Sequence, residues 1–121
     1  MLLKTFDDKM SVCLVDSYDG IDLTQPFCFT GATDEELSLV CLTEQVPSYT
    51  IKREDGWRMF RIEGELDFSL IGILSKISSI LADHHIGLFA VSTYKTDYIL
   101  VKENDYSKAI EALREAGYTI V

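Results

Sequence analysis

Positive charge is scarce in this sequence. Eleven lysines and arginines stand against twenty aspartates and glutamates, for a formal net charge of −9 over 121 residues. The cations do not cluster: Lys52-Arg53 and Arg58/Arg61 are separated by acids. Nucleic acid and anionic membrane surfaces both demand basic patches, so neither is an expected partner. Long apolar runs are missing as well. The most apolar-rich stretch, 68–82, is interrupted by Ser69, Gly72, Ser75, Lys76, Ser78 and Ser79, which is too polar and too short to span a bilayer. "MLLKTFDDKM" brings charge too early for the apolar segment of a secretory leader, and none is expected. Only three cysteines occur, Cys13, Cys28 and Cys41, each inside an apolar strand-like run. They read as reduced core residues of a cytoplasmic protein.

Catalytic and metal-binding sets are lacking too. The two histidines, His84 and His85, are adjacent. Neighbouring helical positions diverge by about 100° and share no face, so no metal is expected. No residue at a usable spacing activates a cysteine, and no Ser/His/Asp set or phosphate loop occurs. The many carboxylates read as a solvated surface. The expectation is therefore a non-enzyme without a cofactor.

Hydrophobic residues make up 47% of the chain, enough for a real core and too many for disorder. "KMSVCLVD" (9–16) alternates as a strand. A loop with Asp19-Gly20 and Pro26 follows, then a short strand, "FCFTGAT". Thr33 stands three residues ahead of Glu36, the spacing of a capping box, and predicts one or two helical turns. "LSLVCLTE" (37–44) reads as another strand. The polar "YTIKRED" (49–55) ends at Asp55-Gly56, where a lobe boundary is placed.

Beyond it, "WRMFRIEGELD" (57–67) is a strand. Leu70, Ile73/Leu74, Ile77 and Ile80/Leu81 recur at helical spacing and predict a helix over 70–84 with Ser69 as its N-cap. Strand 86–93, a tight turn at Tyr94-Lys95 and strand 97–102 follow. A second helix spans roughly 105–116, Gly117 stops it, and "YTIV" is a last strand. The order β-α-β-β-α-β defines an α+β, ferredoxin-like unit, an antiparallel sheet with both helices on one face. Residues 1–55 form a smaller lobe that looks like a shrunken copy, and 56–121 form the complete unit.

"WRMFRIEGELDFSLIGIL", followed by "GLFAVSTYKTDYILV", resembles the ACT domain, and "DEELSLVC" (34–41) in the first lobe fits the same pattern. The chain is similar in particular to small bacterial tandem-ACT proteins and to the ACT pairs of the eukaryotic cytosolic arginine sensors. The resemblance implies a regulatory module that binds a small ligand, usually an amino acid, where two ACT units meet. It makes 1–55 a degenerate ACT-like lobe and 56–121 an ACT domain. It carries over to Leu70, Ile71, Gly72 and Ile73 in the loop and to Thr93 and Asp97 at the strand turn. Where those relatives have acids just before the glycine, "SLIG" (69–72) has none; Leu70 and Ile71 suit a small neutral or apolar ligand side chain.

The chemistry fits that implication. A free amino acid needs N–H donors for its carboxylate, which a helix N-terminus supplies. Gly72, in the first turn of helix 70–84, would permit close approach or serve helix–sheet packing. The ammonium needs an anion, and Asp97 supplies one, with Thr93 adding a hydrogen bond. Asp97 could equally close the turn "YKTD", and Ser92 and Thr93 could be satisfied locally. Without an effector domain, such a module signals through an assembly: a homodimer, or an unidentified protein effector. The alternative is an interaction or dimerisation module that holds no ligand.

Overall fold

The computed structural model describes residues 1–63 and 71–121. Seven strands and two α-helices follow in the order β1 (Leu2–Val15), β2 (Phe29–Ala32), β3 (Leu37–Leu42), β4 (Lys52–Ile62), α1 (Ile73–Asp83), β5 (Phe89–Ser92), β6 (Asp97–Lys102), α2 (Glu103–Glu115) and β7 (Thr119–Ile120). A 3₁₀ turn, Thr43–Gln45, separates β3 from β4. The chain divides into two compact units, Met1–Asp7 with Arg58–Val121, and Asp8–Trp57.

In the larger unit the strands lie in the order β7-β1-β4-β6-β5. The first seven residues, placed in the N-terminal lobe by their position in the sequence, belong here. β1 is longer than the 9–16 expected and begins at Leu2. Its early residues pair with the end of β4, where the Glu63 N–H donates to the Leu2 carbonyl at 2.9 Å. β7 then pairs with β1 in parallel, Leu2↔Thr119 and Leu3↔Ile120. The closing strand of a split βαβ unit ordinarily lies beside the first; here β1 stands between them.

One face of this sheet carries the core. Leu3, Phe60, Ile62, Ile99 and Val101 meet Ile77 and Leu81 of α1 and Ala109 and Leu113 of α2. Strand residues alternate between faces and helical ones recur every three to four, so both patterns converge here. Each fully buried aliphatic or aromatic side chain contributes roughly 1.5–3 kcal/mol. Gly117, at φ +105°, ends α2, and the Tyr118 N–H donates to the Leu113 carbonyl at 3.1 Å.

The smaller unit orders its strands β2-β3-β1-β4. Cys13, Val15, Leu39 and Cys41 form its buried cluster. The helical turn expected after Thr33 is absent. The Thr33 N–H donates to the Glu36 carbonyl at 2.9 Å, and its hydroxyl accepts from the N–H groups of Glu35 and Glu36. A threonine that caps a helix and one that closes a hairpin offer the same oxygen to the same N–H groups. The polar stretch 49–55 is also not all loop, because β4 begins at Lys52.

The β2-β3 and β5-β6 hairpins share one register at an offset of sixty residues. Phe29 faces Val40 as Phe89 faces Leu100, and Ala32 faces Leu37 as Ser92 faces Asp97. Thr93 closes its turn as Thr33 does, its N–H donating to the Thr96 carbonyl at 2.9 Å.

Candidate functional site

α1 begins at Ile73, and Gly72 is its N-cap at φ +80°, ψ −1°. The helix expected from residue 70 thus starts later. A left-handed residue cannot continue a right-handed helix, and Gly72 precedes the first turn rather than lying in it. A Cβ at Gly72 would meet no atom of the described residues within 4 Å. Packing against the described sheet therefore does not explain the glycine; its backbone conformation does. Among the described residues no side chain caps this helix end, so they leave its first N–H groups without a side-chain acceptor. Leu70, together with the proposed N-cap Ser69, lies outside the described residues. Ile71 is 91% exposed, whereas Ile73 packs against the core.

A cavity of about 630 Å³ opens beside this helix end. Ile71, Gly72 and Ile73 line it with Met1, Lys76 and Tyr118. It is mostly apolar, with the Lys76 ammonium as its charged group. Thr93 and Asp97 do not line it.

Those two residues sit at the β5-β6 turn. The Thr93 hydroxyl donates to the Thr96 carbonyl at 2.9 Å and accepts from the Thr96 N–H at 3.4 Å, so it is satisfied within the turn. Asp97 opens β6 and is half-buried. Among the described residues its carboxylate has no hydrogen-bond or ion-pair partner. It shares its face with Ile99 and Val101, which pack against the helices. β4 ends, α1 begins and β6 begins at one end of this sheet, so Asp97 and the α1 N-terminus occupy the same end and the same face. Beside Asp97, the buried Thr96 hydroxyl donates to the Ile62 carbonyl at 2.7 Å.

On the opposite face the structure adds a group that the sequence reading missed. The Arg61 guanidinium stands over the rings of Phe6 and Tyr98, at 5.1 and 5.8 Å from their centroids. It bonds Glu63 at 3.1 Å. That hydrogen bond holds the Glu63 carboxyl below its ordinary range. The signal was available, since Arg61 and Glu63 are two apart in a strand and so share a face.

His84 ends α1 with its Nδ1 2.9 Å from the Ile80 carbonyl oxygen. Among the described residues no three His, Cys, Asp or Glu side chains group to hold a metal ion. No helix among them is long and apolar enough to cross a membrane.

Two helices on one face of a mixed sheet, with a glycine-led helix N-terminus and an acid at the same end, define a ferredoxin-like α+β module. The family model described as "ACT domain" matches residues 52–115, and the chain belongs to that family. The crystal structure of protein Atu0741 from Agobacterium tumefaciens is similar at a TM-score of 0.86 and 30% identity, covering 99% of this chain and 91% of that one. The ligand-free regulatory subunit of aspartate kinase from Thermus thermophilus shares the fold, with a TM-score of 0.67 at 9% identity and coverage of 95% and 96%. The human "Cytosolic arginine sensor for mTORC1 subunit 1" is 49% identical over 35 residues, which span 29% of this chain and 11% of the sensor. At 9% identity the aspartate kinase likeness shows the fold alone.

Proposed function

We propose that the chain is a non-catalytic sensor that binds a free amino acid where its ACT domain meets another ACT unit. The observation that carries this reading is Asp97: a half-buried carboxylate without a partner among the described residues, on the same end and face as a helix N-terminus that no described side chain caps. Removing a carboxylate from water is costly unless it gains a counter-charge. An amino acid's ammonium supplies one, and its carboxylate suits the N–H groups after Gly72. Ile71, 91% exposed, would then face the ligand's side chain, and the apolar Leu70 and Ile73 beside it in the sequence likewise favour a neutral or apolar one. The Thr93 hydroxyl, held in its turn, would contribute mainly by shaping the strand end.

Residues 1–55 would be a degenerate ACT-like lobe, apart from Met1–Asp7, which fall in the larger unit, and 56–121 the ACT domain. The shared hairpin register, sixty residues apart, supports a tandem origin, with the loop 16–28 and the 3₁₀ turn standing where the larger unit has helices. Signalling would pass through a homodimer or a protein effector whose affinity differs between the ligand-bound and free states.

Thermal unfolding of extensively dialysed protein against the twenty amino acids tests the reading. Ligand at about a hundred times its Kd stabilises by about 2.7 kcal/mol. One amino acid should raise Tm by several degrees in the wild type and not in Asp97→Asn. No response to any of the twenty, in protein free of carried-over ligand, would leave an interaction module instead.

A further inference from the structure

The three cysteines take no part in the proposed sensor site, yet they lie close together in the smaller unit. The β2-β3 ladder pairs Phe29 with Val40. Cys28 precedes β2, and extending the same register by one residue would set it opposite Cys41. The Thr33 N–H to Glu36 carbonyl bond marks that pair as hydrogen-bonded, and bonded and non-bonded pairs alternate along an antiparallel ladder. Counting outward, Phe29/Val40 is a bonded pair and Cys28/Cys41 a non-bonded one. Non-bonded pairs bring their Cα atoms to about 4.5 Å with side chains close together. Disulfides usually span about 4.4–6.8 Å between Cα atoms. Both thiols face the same way: Cys28 packs against the cluster that contains Cys41, and both line one cavity of about 220 Å³ with Ile21 and Asp22.

Cys13 is the competing partner, and the register disfavours it. Cys13 pairs with Leu39, while Cys41 pairs with Ser11. Cys13 and Cys41 are therefore diagonal neighbours at about 7–8 Å, beyond the reach of a bridge without backbone movement.

We propose that Cys28 and Cys41 are a thiol pair, held together by the fold, that closes to an intrachain disulfide when a small-molecule disulfide such as glutathione disulfide oxidises it. Cys28, the more exposed of the two, is the entry sulfur. Its thiolate attacks the glutathione disulfide, forming a mixed disulfide and releasing one glutathione thiolate. The Cys41 thiolate then attacks the Cys28 sulfur and releases the second. The two cysteine protons end on the two glutathione thiols, the protein sulfurs are oxidised by two electrons, and the glutathione disulfide is reduced by two. The bond would fasten the end of loop 16–28 to β3.

In the resting state both groups are thiols. Burial pushes Cys41 up to about 12, with the neighbouring Cys13 and Cys28 adding to the rise and Arg53 opposing it. Burial also raises Cys28, and the Asp22 carboxylate adds to it.

Reduced, purified protein is incubated with glutathione disulfide, quenched with acid, unfolded and alkylated. An acid-specific endoprotease, which cuts between the cysteines at Asp16, Asp22 and Glu35, then allows the linkage to be mapped by mass spectrometry. The expected result is a chain lighter by two hydrogens, with one Cys28–Cys41 cross-linked peptide and Cys13 alkylated. Cys13→Ala keeps the cross-link, and Cys28→Ser abolishes it. A glutathione adduct that persists on Cys28 beside a free Cys41, a Cys13–Cys41 link, or no oxidation would each overturn the proposal. The mapping on the unaltered chain decides this even if a variant fails to fold.

Discussion

The Thr96 hydroxyl donates a buried hydrogen bond to the Ile62 carbonyl at 2.7 Å, joining the β5-β6 turn to the last residue of β4. The bond fixes the start of β6, and with it Asp97, against the point where the chain leaves the sheet. Thr96→Val keeps the shape and leaves that carbonyl without its donor. An unsatisfied buried acceptor costs about 1–3 kcal/mol, so Tm in calorimetry should fall by several degrees. Thr96→Ser, which keeps the donor, should recover most of the loss. A loss in Thr96→Ser with none in Thr96→Val would mean that the methyl group and not the hydroxyl matters.

Gly72 allows a second test. Its φ of +80° is unfavourable for any L-residue with a Cβ, while the space around it is open. Gly72→Ala should therefore destabilise through the backbone alone, by roughly 1–2 kcal/mol. Larger side chains should cost little more than alanine, since the described residues leave nothing within 4 Å to clash with. A steep rise in cost with side-chain size, read from chemical denaturation, would show that the pocket closes around this position.

These two residues also show what the sequence could and could not reveal. β6 was read at its true bounds because "DYILVK" is an apolar run with a charged residue at each end. The body of α1 was legible from its spacing, but its start was not, because the apolar repeat continues through Leu70 while the backbone turns left-handed at Gly72. Helix ends are set by such local geometry rather than by periodicity. Leu2–Asp7 was hidden for another reason. Only Leu3 of that stretch reaches the core, so "LLKTFDD" carries a single buried anchor and no visible alternation. Asp97 stood out as an acid before an apolar strand. That it lacks a partner among the described residues depends on contacts distant in sequence, whereas the Thr93 hydroxyl is engaged locally, by Thr96 three residues on, as the sequence reading allowed.

Cys41 predicts an alkaline weakness. Its folded-state value of about 12 lies above the 9.0 of an exposed thiol. Between those values the unfolded chain releases the proton while the folded chain keeps it, so stability falls as pH rises. Below pH 9 the group contributes no slope. Tyr106 and Tyr118 are also raised from 10 by burial and act in the same direction at the upper end of the window. Denaturant midpoints measured from pH 7 to 11 should be flat at first and then decline. In Cys41→Val the decline should be shallower, because only Cys13 and Cys28, also raised from 9.0 by burial, and the two tyrosines remain to drive it. An unchanged decline in that variant would assign the effect to those other groups.

Asp97 separates structure from ligand binding. A carboxylate that closed its turn or balanced a neighbouring cation would cost stability when removed. Asp97 has no such partner among the described residues, so Asp97→Asn should change the unfolding free energy of ligand-free protein by no more than about 0.5 kcal/mol, the range of surface substitutions without special contacts. The same change should abolish the Tm response to the amino acid that stabilises the wild type, because a neutral amide cannot balance an ammonium. Asp97→Glu keeps the charge but moves it by one methylene, and should retain a weakened response. Stability unchanged with the response lost makes Asp97 a ligand anchor. A loss above 1.5 kcal/mol without ligand, with the amino acid response intact, would return it to the fold.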